Sequence, residues 1–560
     1  MHDLNLPNKS TSNCRVLMVS DTHLGSKENG ILFRDSFAAL EEALKLGLDL
    51  KVDAVIIPGD FFHAVNPSSD TRELTKLLLS LYCRYGGGGG GGGESTTPEL
   101  INCPKGALAA KEPNFSKVRL AVFVTHGNHD TLAQEWGKGP IDELSEEGLV
   151  NYLGKTLVRG VGDGAIASAP IVFSKEGIEI ALYGFGNIRD PTMAKISGHG
   201  VTVKPAEEEG EEGGGGGEEE EEVVESGSKE GGGAAAAAVA VTSGGTSSAA
   251  AAVELGNDDK GGMTLVESPG GTDGKFNVLV LHQQRRVSSV DPSSGVSEAL
   301  LPDFLDLVVW GHEHKCCPPR EKGAGGRKPF STLQPGSVVR TQLTEGAASE
   351  NVAYLLEITR APPDGNGGPF LFDLVPHPLR TGRLYAFGKI NVIDVAQARK
   401  WDAGDCNFHT TCRARLISCV DFLLSEARAA AEARGPPPAY ALGGVIKLVH
   451  ADRPLIKLQV AGYEHQPRLK RDLEDLYRDR VADPKNMISF VRDPGGRDSI
   501  GRASDADADA DAGPPAEVAA AVHAVFEVGK RRLEEAQDAA AAETTADDGR
   551  KQKRKREGQI

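Results

Sequence analysis

The densest chemistry in the chain is Thr125-His126-Gly127-Asn128-His129-Asp130, which follows an apolar run at 120–124 that reads as a buried strand. Asn128 offers an amide oxygen to a hard divalent cation, and His129 carries an imidazole that can move a proton near pH 7. Four further segments offer complementary groups: Asp21 with His23, Asp60 with His63, His282, and His312 with His314. Each follows a short apolar run. The Asp-x-His and His-x-His spacings set two ligands two residues apart, so both can face one site from an extended strand end. One ion cannot use so many imidazole, carboxylate and amide groups. Two cations about 3.5–4 Å apart, bridged by a carboxylate, would use them all, and such a pair suits in-line hydrolysis of a phosphate ester.

These groups need elements to hold them. Residues 15–20, 52–58, 118–124, 276–281 and 305–310 read as strands, each ending at a candidate ligand. Phe33, Phe37, Leu40 and Leu44 recur at helical spacing. A second helix starts at Ser68 or Ser69 and carries the stripe Leu74, Leu77, Leu78 and Leu81, which by default is core packing. Residues 171–173 and 178–183 read as paired strands, Gln334-Pro335-Gly336-Ser337 as a turn, and 353–358 as the strand that closes the sheet. The order predicts an α/β layered domain over 14–360, with a site above the C-terminal strand ends. From 365 to 493 the texture changes to short strands at 387–392, 445–449 and 455–460 with two helices. One of these, at 412–434, is stopped by Gly435-Pro436-Pro437-Pro438. This predicts a smaller α+β domain. The stretch 86–117, with eight consecutive glycines, and the Gly/Glu/Ala tract 204–275 read as flexible inserts that bury too little to fold. In 494–560 an Asp-Ala linker precedes a helix at 515–538, with Val518, Val522, Val525, Phe526 and Leu533 along one face, and a basic run at 550–556.

The chain of 560 residues has room for two or three domains. Its net charge of −18 argues at first against a nucleic-acid partner, but residues 207–230 carry twelve Glu and one Lys, a net −11 that leaves −7 for the rest. Eight cysteines, with no Cys-x-x-Cys pair, read as reduced thiols of an intracellular protein. Residues 1–10 lack an apolar signal core, and no run approaches the ~18 apolar residues of a membrane span. Gly274-Lys275-Phe276 lacks the Ser/Thr of a phosphate loop, so no ATP site is expected.

The strand-end motifs resemble those of the calcineurin-like metallophosphoesterases over roughly residues 14–345. His23-Leu24-Gly25, Arg34-Asp35-Ser36-Phe37, Asp60-Phe61-Phe62-His63, Asn187-Ile188-Arg189-Asp190 and Val309-Trp310-Gly311-His312-Glu313-His314 are similar to one branch, as is Gln334-Pro335-Gly336-Ser337. That branch is the Mre-eleven/SbcD nucleases of double-strand-break repair. Residues 481–492 (VADPKNMISFVR) are similar to the end of the family's DNA-binding capping domain. The resemblance implies a metallophosphoesterase four-layer β-sandwich flanked by helices, with the α+β domain at 365–493 as its cap. It further implies that Asp21, His23, Asp60 and His314 hold one Mn²⁺ and that Asp60, Asn128, His282 and His312 hold a second, with Asp60 bridging. His63 and His129 would orient the phosphate and handle the proton of the leaving sugar oxygen. His126 matches the pattern without a ligand role and reads as structural.

The same resemblance implies 3′→5′ exonuclease activity on duplex DNA and endonuclease activity on single strands. It also implies a nuclear location, and as partners DNA, the SMC-like ATPase Rad-fifty, a nibrin-like subunit and a second copy of the chain through the leucine stripe. The 515–538 helix is a candidate dock for the ATPase, and the basic run a candidate import signal or phosphate-binding tail. Departures are Pro58 for the family's glycine and Gln284 in its His-Gln-Asn-Arg run, neither expected to touch a ligand. The nibrin contact falls in 86–117, where the glycine tract interrupts it although Asn114-Phe115 survives. The competing enzyme is a protein phosphatase or nucleotide phosphodiesterase of the same superfamily. The phosphatase pattern has Asp-Arg-Gly after the bridging Asp and ends its Asn-His motif in Glu, whereas this chain has Phe61-Phe62-His63 and Asp130. A non-catalytic scaffold is the third reading, and the complete set of ligand types counts against it.

Overall fold

The computed structural model describes residues 13–84, 98–103, 118–131, 138–154, 166–188, 201–204, 263–266, 272–286, 295–322, 330–362, 369–391, 406–435, 438, 444–461 and 467–491. The first domain is two sheets packed face to face. One has the strand order Phe370–Pro378, Val352–Arg360, Asn13–Met18, Ala54–Pro58, Ala121–Thr125, Asn151–Tyr152. The other runs Cys317–Lys322, Phe330–Gln334, Leu307–Gly311, Phe276–His282, Ile178–Phe185, Ile171–Lys175, Glu99–Asn102. The strands that carry the candidate ligands run parallel to one another within each sheet, Asn13–Met18 alone also pairing antiparallel, with Val352–Arg360. Parallel strands are covered on both faces, which is why they read as unbroken apolar runs.

Alternation along each strand sorts the side chains into layers. Met18, Ile56 and Phe123 from the first sheet meet Leu182, Val280 and Val309 from the second in a shared core. Leu17, Val55 and Val122 point the other way, under helices Phe33–Asp49 and Ser69–Leu79. Tyr183, Leu281 and Trp310 form a third core on the far face of the second sheet. The layered sandwich expected from the motifs is therefore present.

The second domain is a parallel sheet of Tyr385–Asn391, Leu455–Ala461 and Ile488–Val491. Helices Cys406–Arg434 and Pro467–Tyr477 pack on it through Leu416, Val420, Leu473 and Tyr477. Three acidic residues of helix Phe33–Asp49 tie the two domains together. Asp35 receives Nε and Nη2 of Arg383 at 2.7 and 3.0 Å. Glu42 accepts from the Arg380 and Thr381 amides at 2.7 and 2.8 Å, and Glu41 from the Val445 and Ile446 amides at 2.6 and 2.8 Å.

Several expectations change. Phe370–Pro378, placed in the second domain by a boundary at 365, pairs along all nine residues with Val352–Arg360 and belongs to the first. Consequently 353–358 is not the closing strand. Residues 445–449 form no strand, because two of their amides are taken by Glu41 rather than by a ladder. Both presumed inserts contribute strands. Glu99–Asn102 edges the second sheet, and Met263–Val266 joins Ile166–Ser168 and Val201–Lys204, with Leu265 fully buried. In the leucine stripe, Leu74, Leu77 and Leu78 lie inside the chain's own core and Leu81, half-buried, packs against it, so most of the stripe is core packing. The glycine tract 86–93, Asn114-Phe115, most of 204–275, the 515–538 helix and the basic run lie outside the described residues.

Candidate metal centre

All of the proposed ligands converge at the C-terminal edge of the two sheets. One ligand atom each from Asp21, His23, Asp60 and His314 lies within 4.8 Å of the others. Asn128 Oδ1 stands 3.2 Å from His282 Nε2 and 2.9 Å from His312 Nδ1, forming a second cluster. Asp60 lies between them, with Oδ2 3.6 Å from His23 Nε2 and 3.5 Å from His282 Nε2. Asp21, His23, Asp60 and His282 are buried at the base, while His63, Asn128, His129, His312 and His314 rim an opening to solvent. The cluster is thus closed on the protein side and accessible on the other.

The backbone device differs from the expected one. Asp21, His23, Asp60 and His312 have φ of 51°, 42°, 46° and 83°, in the left-handed region rather than extended. Non-glycine residues are rare there, and each costs of order 1–3 kcal/mol unless the surroundings impose it. Ladder bonds stop at the strand ends, and the chain turns sharply to aim these side chains inward. Two glycines permit the close approach. Gly59 has φ 85°, and a Cβ there would meet the ring of His282; a Cβ on Gly127 would meet the Asp60 carboxylate.

A second set of residues fixes the ligands, and sequence reasoning gave these no role. Asp130 accepts from the Gly127 amide at 2.6 Å and the Phe62 amide at 3.0 Å, joining the Asn128 loop to the Asp60 loop. Pro58, expected to touch no ligand, accepts from His282 Nδ1 through its carbonyl at 2.7 Å. The contact needs the carbonyl and not an N–H, so proline serves where the family has glycine. Ser337 donates to the Asp21 carbonyl at 2.8 Å, Thr341 Oγ1 lies 3.4 Å from His314 Nδ1, and Asn187 Nδ2 donates to the His282 carbonyl at 3.2 Å. Such outer contacts set ring orientation and tautomer at metal sites. The signals in the sequence were the Gln-Pro-Gly-Ser and Asn-Ile-Arg-Asp motifs for Ser337 and Asn187, and adjacency to ligand motifs for Pro58 and Asp130; Arg189 and Asp190 lie outside the described residues.

His129 donates its backbone N–H to Asp60 Oδ1 at 2.9 Å, and its ring Nδ1 lies 3.0 Å from the His63 carbonyl. The His63 and His129 rings stack at 4.9 Å. His126, read as structural, is bonded to the Tyr152 hydroxyl at 2.9 Å on the protein side. His23, His63 and His129 also bring one ring nitrogen each to within 4.8 Å, an arrangement that could ligate an ion by itself. It carries no carboxylate, whereas the Asp21/His23/Asp60/His314 group carries two, and hard divalent ions favour the latter.

The electrostatics call for a cation. Asp21, Asp60 and Asp130 are buried together, and among the described residues no lysine or arginine pairs with them. Burial, with the charge of Asp60, pushes the Asp21 and Asp130 carboxyls up to about 7. Burial alone would raise Asp60 too, but His282, His23 and His129 hold it well below the usual range. Against the pull of burial, Asp60 and Asp21 raise His282 to about 9. Burial lowers His314 to about 4, the neighbouring histidines adding to it. Buried carboxylates whose only nearby partners are imidazoles fit a divalent metal.

Comparison with known proteins agrees with this geometry. The calcineurin-like phosphoesterase family model matches residues 14–200. The double-strand break repair protein MRE11 of Oryza sativa subsp. indica is 34% identical over 61% of this chain and 40% of its own length. The proteins of that name from Coprinopsis cinerea and Homo sapiens are 27% and 25% identical, over 85% of this chain and 56% and 55% of theirs. The chain therefore spans between two fifths and just over half of these curated relatives. Residues 14–200 thus match the calcineurin-like phosphoesterase family, and the chain as a whole is similar to the MRE11 double-strand break repair proteins.

Proposed function

We propose that the chain is a Mn²⁺-dependent DNA nuclease of double-strand-break repair. It would hydrolyse phosphodiesters as a 3′→5′ exonuclease on duplexes and an endonuclease on single strands. The observation that carries this reading is Asp60 standing between two ligand clusters at the open edge of the sandwich. In this reading Asp21, His23, Asp60 and His314 hold one cation, and Asp60, Asn128, His282 and His312 the other. A bound pair would supply Lewis-acid polarisation of the phosphoryl oxygens and neutralise developing charge.

The chain's own residues do the rest. Asp60 holds the Asn128 loop in place through the His129 amide. Asp130 fastens that loop to the loop of His63. The carbonyl of His63 fixes Nδ1 of His129, which leaves Nε2 to give a proton to the departing sugar oxygen. The stacked His63 ring braces His129 and lines the mouth beside the phosphate. The second domain, tied down by Asp35, Glu41 and Glu42, is the cap against which DNA lies. Similarity to the repair proteins supports DNA as substrate, the nucleus as location, and assembly with an SMC-like ATPase, a nibrin-like subunit and a second copy. Digestion of labelled duplex and single-stranded DNA with Mn²⁺, beside a phosphopeptide, tests the reading. Phosphopeptide hydrolysis without DNA cleavage would make the chain a phosphatase.

A further inference from the structure

A second cavity shares no residue with the metal centre. It has a volume of about 380 Å³ and lies where the two domains meet. Its walls come from helix Phe33–Asp49, residues 380–384, the end of helix Cys406–Arg434 and residues 444–451. A pocket of this size suits a small organic ligand.

The charges in it are unevenly satisfied. Its two carboxylates, Glu41 and Glu42, are buried and engaged by the amides that join the domains. Arg383 is likewise saturated, by Asp35 and by the carbonyls of Val449, His450 and Arg453. Lys45 is engaged as well, and three further cations remain. Arg380 and Lys447 lend their side chains to no hydrogen bond or ion pair among the described residues, and Arg434 reaches only the Gly382 carbonyl, at 3.4 Å. Burial pushes the Arg434 guanidinium below its usual range, and Arg380 adds to this against the opposing pull of Glu350 and Glu42. Two half-buried guanidiniums that press on one another, neither in an ion pair among the described residues, are an unfavourable arrangement that an anion would relieve. The wall beside them is apolar, formed by Leu384, Ile446 and Leu448.

We propose that this cavity binds a small phosphorylated organic anion, its phosphate held by Arg380, Arg434 and Lys447 and its carbon skeleton lying on Leu384, Ile446 and Leu448. Guanidinium forks match phosphate oxygens, and the apolar wall distinguishes a phosphate ester from the free ion. A ligand here touches both domains at once and so resists their separation. The site does not depend on the nuclease reading.

The test is calorimetric titration of the full chain, loaded with its divalent metal, with deoxyadenosine 5′-monophosphate and separately with inorganic phosphate. The nucleotide should saturate a site that the Arg380→Ser/Arg434→Ser double variant weakens at least about tenfold. Leu448→Ser should bring nucleotide affinity down to that of inorganic phosphate. Binding by the metal centre would persist in the double variant, so an unchanged titration there overturns the proposal, as does failure to saturate. Equal affinities for nucleotide and phosphate in the unaltered chain would remove the organic part. Should circular dichroism show the double variant unfolded, Lys447→Gln on the exposed rim gives the same test with a loss of a few-fold; no loss there refutes the site.

Discussion

Replacing Asp60 separates its three roles. The residue is 1% exposed, adopts a left-handed backbone with φ 46°, accepts the His129 amide at 2.9 Å, and stands between the two ligand clusters. Asp60→Asn keeps an acceptor for the His129 amide, and asparagine enters the left-handed region readily. It also removes one of three crowded buried carboxylates. With metal chelated, it loses only the charge that faces His282, so its unfolding free energy should fall below that of the unaltered chain yet stay above that of Asp60→Ala. Asp60→Ala loses on two counts: about 1–2 kcal/mol for an alanine in the left-handed region, and about 1–3 kcal/mol for a buried amide left without an acceptor. The expected destabilisation is about 2–5 kcal/mol, read from urea denaturation in chelator. In metal the pattern changes, because both variants should lose the bridge, bind less than one ion per chain by elemental analysis, and cut no DNA. Two ions retained in Asp60→Asn would refute the bridging role. Equal stability of the two variants in chelator would refute the backbone account.

Other perturbations follow from the same geometry. His129→Asn should keep metal content and DNA affinity while Mn²⁺-dependent cleavage falls about 10²-fold or more; loss of an ion would instead make His129 a ligand, as the His23/His63/His129 grouping allows. Leu77→Asp with Leu81→Asp should unfold the first domain, since Leu77 lies in its core and Leu81 packs against it; a folded monomer by circular dichroism and light scattering would return the stripe to a dimer interface. Arg383→Met strips the buried Asp35 of its partner and should cost about 3–5 kcal/mol in urea denaturation. Burial pushes the Cys83 thiol from 9.0 up to about 12, so the native state keeps a proton that the unfolded chain releases. Stability is then full below about pH 9 and falls as pH rises toward 12, and Cys83→Ala should flatten that alkaline slope in thermal melts.

Much of the site was legible in the residues alone. Every candidate ligand follows an apolar run, and those runs became the strands of the two sheets because a parallel strand buried on both faces has no polar positions to interrupt it. Residue type then restricted the chemistry, since carboxylate, amide and imidazole at the ends of five strands have few uses apart from metal. Tertiary structure decided what depends on direction and on partners. Whether Asp-x-His faces one point rests on left-handed φ values at Asp21 and His23, which spacing does not encode. Pro58 mattered through a carbonyl, a group every residue has, so its identity could not announce the contact with His282. Phe370–Pro378 changed domains because a strand joins whichever neighbour leaves an edge open, and Val352–Arg360 did. The leucine stripe reads the same whether it packs inward or against another chain; only the position of the sheet beneath it made it core.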